Sequence, residues 1–155
     1  MLARIFPSQA SNEYRGYKFA IWLLIAIVLL RLAMSYAALI DTRAMLQDAD
    51  SIPLDKFDAG AASTVLYITK LLGLDHLLLN VVAIVVLIRW RALVPFVYLL
   101  LAVEQIARKA INTANPVPRT DIAILPVDPN LVIIAALLVG LALSLATPRR
   151  SAPRN

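Results

Sequence analysis

At 155 residues the chain is one domain's worth, and its 61% hydrophobic content and mean hydropathy of +0.77 lie far above the roughly 45 to 50% apolar usage of soluble domains. Its ordinary solvent is a bilayer. With no cysteine and His76 as the single histidine, disulfides, iron-sulfur clusters, thiolate chemistry, a bis-histidine haem within one chain and a histidine-rich metal site are excluded, so no cofactor and no metal is expected.

The chain opens with a basic N-terminal tail, residues 1–16, followed by the first apolar run, Phe19 to Ile40, interrupted only by Arg31. Ser35 and Ala37 imitate a cleavage site. The run is too long for a leader, and Arg31 breaks the apolar core a leader needs, so an uncleaved span over residues 17–40 is expected.

Next, Ala61, Val65, Ile68 and Leu72 recur at i, i+4, i+7 and i+11 while Ser63, Tyr67 and Lys70 share another side. This predicts a short amphipathic helix over about residues 60–72, lying at the outer interface. Gly73 breaks it, and Asp75 caps a second span over about 74–90. A single continuous helix from Ala59 to Ile88 is the competing reading.

The turn "IRWRALVP" is the sharpest local signal. Arg89, Trp90 and Arg91 join charge to an interfacial aromatic, and Pro95 fits the first turn of a third span over about 92–110. Spans two and three form a tight antiparallel hairpin. Pro116, Pro118, Pro126 and Pro129 then impose an extended loop. A last span over about 130–147 carries Ala136, Gly140 and Ser144 every four residues, a small-residue face for close helix packing. Residues 148–155 form a basic C-terminal tail.

The expected fold is therefore an all-α membrane protein, a four-helix transmembrane bundle over residues 17–147 with a short interfacial amphipathic helix between helices one and two. A hydrocarbon core of about 30 Å needs about 20 helical residues, so spans two and three must include their polar flanks. Charge orients the bundle. Residues 4, 15, 18, 89, 91, 149, 150 and 154 give eight basic side chains against one acid, Glu13, whereas the two other connections carry six basic residues against seven acids. By the positive-inside rule both termini face the cytoplasm, and in a bacterial cell the membrane is the cytoplasmic (inner) one. The net charge of +5 is accounted for by this rule, so no nucleic-acid partner is expected.

Depth brings the polar residues together. Folding spans two and three about Trp90 and Arg91 sets His76 level with Glu104 and Gln105. Arg31, 14 residues from Tyr17, reaches the same level at about 21 Å. A charge at that depth costs about 2.5 to 3.5 kcal/mol on insertion scales and needs a partner. An Arg31–Glu104 ion pair is expected, with His76 and Gln105 as neighbours and Asn80 one turn away. Three bland alternatives compete: Glu104 pairing with Arg108 at i+4, Arg31 snorkelling outward past Ser35, and His76 lying at the interface beside Asp75.

The order of these parts, from "LGLDHLLLNVVAIVVLI" through "RWRALVPF" to "DPNLVIIAALLVGLALSL", resembles the DoxX-like superfamily of small four-helix membrane proteins over roughly residues 17 to 147. The resemblance implies quinone-side redox or accessory roles and assigns no catalytic residue. Three functions follow as expectations. The first is an accessory or scaffold component of a membrane complex, with other membrane subunits or a second copy as partners besides the lipid bilayer. The second is binding or transport of a small lipophilic molecule or a proton at the polar cluster. An enzyme proper lacks support, because no nucleophile, metal set or phosphate loop is present and Asp75 and His76, adjacent on a helix, do not face each other.

Overall fold

The computed structural model describes residues 2–117 and 128–147. Their regular structure is all helical, with no strand among the described residues: α1 Leu2–Ile5, α2 Lys18–Ile40, α3 Thr42–Ala44, α4 Ala59–Arg89, α5 Val94–Ala114 and α6 Pro129–Leu145. By length and composition α2 and α4 can each cross a membrane, while α6 is apolar but shorter, at 17 residues. The expected C-terminal tail 148–155 and loop residues 118–127, including Pro118 and Pro126, lie outside the described residues.

The four long helices close into a bundle in which α4 packs chiefly on α2, α5 on α6, and α2 on α6, while α4 and α5 touch at few positions. The shared core is formed by Leu24, Val28, Ala83, Val86, Val97, Leu101 and Leu137. Around it, Leu29, Leu30, Leu78, Val81, Val82, Leu138 and Val139 are exposed. Apolar residues on both the inner and outer faces are the pattern of helices whose surroundings are themselves apolar.

One continuous helix replaces the two segments expected between residues 60 and 90. Neither Gly73 nor Asp75 starts or stops anything. The N-cap is Asp58, whose Oδ1 accepts from the Ala61 N–H at 2.9 Å, and the helix runs 31 residues to Arg89. Gly73 is buried mid-helix because α2 passes close by: a Cβ there would meet the Ala38 Cβ at 2.8 Å. Its hydrogen side chain serves interhelical approach, which in sequence looks the same as a helix break.

Pro129, expected to keep the last loop extended, instead occupies the first turn of α6, where a missing N–H costs nothing. The Asp128 carboxylate caps that turn by accepting from Asn130 N–H at 2.8 Å. Pro95 plays the same part in α5 after a 3-10 turn over Arg91–Leu93. Between α2 and α4 the chain passes through α3, a π-helical turn Met45–Ala49, and Ser51 at φ 55°. Leu54 anchors this connection in the interior.

The N-terminal segment is no loose tail. Tyr17 N–H donates to Leu143 O at 3.1 Å, Ala92 N–H donates to Ser11 O at 3.1 Å, and Arg4 donates to Leu145 O. Residues 2–17 therefore lie across one end of the bundle, where α2 begins, α4 turns into α5 and α6 ends. On the small-residue face of α6, Gly140 and Ser144 are buried and Ala136 packs against the core. Gly140 lies against the buried Tyr98, whose hydroxyl donates to Ala20 O at 2.6 Å.

Candidate functional site

The polar side chains of the helix interiors converge where α4 and α5 have drawn apart from their shared turn. Long side chains fill that gap. Arg31, on the face of α2 that carries the core residues Leu24, Ile27 and Val28, is only 5% exposed. Its Nη2 donates to Glu104 Oε2 at 3.0 Å and its Nη1 donates to Gln105 Oε1 at 3.3 Å. A single guanidinium thus engages two adjacent residues of α5, using its planar fork in a way an ammonium could not.

The other oxygen of Glu104 is also occupied. Oε1 accepts from Arg108 Nη2 at 2.8 Å and from Arg108 Nε at 3.1 Å, and lies 3.0 Å from His76 Nε2 on α4. The predicted cross-helix pair and its competitor at i+4 coexist, because a carboxylate offers two oxygens and about four lone-pair sites. His76 turns into this cluster, while Asp75 beside it is exposed. The same imidazole nitrogen also meets Arg108 Nη2. Arginine can only donate, so Nε2 either donates a hydrogen bond to Glu104 or accepts one from Arg108, and the tautomer decides which neighbour it serves.

From Gln105 the network continues to α6. Gln105 Nε2 donates to Asn130 Oδ1 at 3.1 Å, Asn130 bonds Asp128, and Lys109 pairs with Asp128. The Lys109 ammonium, with Asn130 N–H adding to it, holds the Asp128 carboxyl below the usual carboxylate range. On the other side, Asn80 Nδ2 reaches Ser35 Oγ at 3.4 Å, and Ser35 in turn donates to Arg31 O at 2.9 Å. All five polar positions singled out in the sequence therefore fall in one connected region.

Sequence reasoning missed Ser35, Asn130 and the Lys109–Asp128 pair as members. Asn130 was open to detection as a polar residue at the threshold of an uncharged span. Ser35 carried no such signal, since a serine in a membrane helix satisfies itself on the carbonyl four residues back.

Two buried atoms in this region have no partner among the described residues: Arg31 Nε, a donor, and Asn80 Oδ1, an acceptor. Charges in low dielectric demand complete pairing. Two guanidiniums and an imidazole directed at one carboxylate leave the cluster with more donors than acceptors. Comparison with family models, with curated proteins and with solved structures gives no match.

Proposed function

We propose that this chain is a small integral membrane protein whose four long helices cross the bilayer with both termini cytoplasmic, serving as an accessory or scaffold component of a membrane complex. The observation carrying this reading is the occupation of both Glu104 oxygens from within its own chain: α2 and α5 each send a guanidinium to it, and His76 of α4 lies within hydrogen-bond distance. A carboxylate committed on both oxygens is a tie between helices. The exposed apolar surfaces of α2, α4 and α6 leave these helices free to meet lipid or other subunits. The DoxX-like arrangement belongs to the same proposal, as the family pattern the order of parts resembles.

For the third and fourth helices the reading rests on composition. The 21 residues of α5 are long enough, and its charges, Glu104 at mid-helix and Arg108 and Lys109 beyond it, all pair within the chain. The 17 residues of α6 reach the lower limit of about 17 for a spanning helix.

A second reading, a site for a small lipophilic molecule or a proton in the outer half of the bundle, is favoured by Arg31 Nε and Asn80 Oδ1, which have no partner among the described residues. One experiment separates the two. The tagged chain is extracted in mild detergent, and its companions are identified by mass spectrometry. The scaffold reading expects a stoichiometric membrane-protein partner. One lipophilic small molecule per chain, with no protein partner, would replace it by the second.

A further inference from the structure

A cavity of about 480 Å³ opens at the end of the bundle covered by the N-terminal segment, remote from the polar cluster. Its walls combine Arg4, Gln9, Tyr14 and Arg15 with the carboxylate of Glu13, the apolar Phe6 and the first turn of α5 at Pro95. Arg4 is held in place by its bond to Leu145 O, the C-terminal carbonyl of α6, where a cation also complements the helix dipole. That bond uses one of five guanidinium N–H donors. Among the described residues Arg15 pairs with Glu13 alone, at 3.5 Å with both side chains 77% exposed, a pairing of the kind that contributes little. Tyr14, whose phenol burial pushes up to about 12, is a neutral wall.

The same end of the molecule carries several exposed aromatics. Tyr17, Phe19, Trp22 and Trp90 are all exposed, each within a turn or two of the helix ends. Trp and Tyr concentrate at headgroup level. Lys18, Arg89 and Arg91 are exposed among them. A cavity of mixed apolar and polar lining with two guanidiniums, opening at the depth of an aromatic belt inside a basic rim, has the chemistry of a phosphate site served from the membrane, its apolar walls suiting the glycerol and upper acyl part of a lipid.

We propose that this cavity binds the phosphate of an anionic phospholipid headgroup, with Arg4 and Arg15 as its charge partners. Arg4 supplies a fixed fork to the phosphate, and Arg15 exchanges its weak contact with Glu13 for the lipid. The proposal rests on the helices crossing the membrane. Once filled, the cavity joins the N-terminal segment to the leaflet it faces.

The test uses the full chain, delipidated in detergent, and counts bound lipid by native mass spectrometry with phosphatidylglycerol or phosphatidylcholine added; inorganic phosphate is the third probe. One phosphatidylglycerol per chain is expected to bind in preference to phosphatidylcholine. Arg15→Gln should weaken it about fivefold, the effect of one basic side chain at an anionic surface, and Arg4→Gln by at least as much. Arg43→Gln, at the far end beside Asp55, should change nothing. Because Arg4→Gln also removes the tie to α6, Arg4→Lys, which keeps the charge, should retain the preference for phosphatidylglycerol. Equal binding of the two lipids, or equal effects of Arg15→Gln and Arg43→Gln, overturns the proposal. Displacement of the lipid by millimolar inorganic phosphate would make the occupant a soluble anion and overturn the lipid assignment. Extraction of the chain from membranes by alkaline carbonate tests the underlying reading separately, since a released chain is not membrane-spanning whatever it binds.

Discussion

The Arg31 guanidinium on α2 meets the Glu104 carboxylate on α5 at 3.0 Å, 73 residues apart in the chain. Glu104 has Arg108 as a second cation and Arg31 has Gln105 as a second acceptor, so the two partners are unequal. Losing Glu104 strands two guanidiniums; losing Arg31 leaves Glu104 still paired.

Glu104→Leu should therefore be the more damaging change, at about 3 to 5 kcal/mol for an uncompensated buried charge, and Arg31→Leu the milder one. The double variant should recover part of the loss, since leucines are at home in lipid. Thermal unfolding of all four proteins in one detergent gives the coupling. Additive losses would show that the two residues act independently.

Gly73 offers a second test, because its two explanations predict opposite signs. Were it a helix break in the middle of α4, alanine would add helix propensity worth about 1 kcal/mol. Since a Cβ there meets Ala38 at 2.8 Å, Gly73→Ala should instead lower the unfolding temperature, and Ala38→Gly should relieve the loss in the double variant. A stabilised single variant refutes the close approach.

Gly140 is tighter still. A Cβ would fall 2.1 Å from the Tyr98 ring, and overpacking of this kind costs about 1 to 3 kcal/mol. Gly140→Ala should be clearly destabilised and Val139→Ala, on the exposed side of α6, nearly neutral. Equal melting of the two variants would show that α6 does not pack through this face.

The Asp128 carboxyl gives a pH dependence. Its folded pKa lies below the ordinary value of 3.8, so the unfolded chain binds the proton more readily. The stabilisation is complete above that ordinary value and is lost as pH falls through the lower folded one. Asp128→Asn, which keeps a capping side chain, should be less stable than the parent at neutral pH. The gap should close in strong acid. A gap that is constant with pH would show that the Lys109 pair contributes nothing.

Orientation is checked with reporter fusions. A cytoplasmic signal at Arg91 and an external one at Arg119 are expected; an external signal at Asn155 would invert the arrangement of helix ends proposed here.

Reading along the chain was enough to locate α2, α5 and α6, the turn at Trp90 and the polar residues that come together, because hydropathy, proline placement and a rise of about 1.5 Å per residue are properties of a single helix. Depth alone placed Arg31, His76, Glu104 and Gln105 together. What a line of residues does not contain is the distance between two helices. Gly73 looked like an end because a missing side chain breaks a periodic pattern and also lets another backbone approach, and only Ala38 across the gap decides which. The choice between Arg31 and Arg108 as the partner of Glu104 proved to be no choice, since the separation of α4 from α5 leaves room for both cations to reach one carboxylate. The folding of residues 2–17 over the bundle end, and the cavity beneath them, arise from bonds such as Arg4 to Leu145. These join opposite ends of the chain, and no local pattern records them.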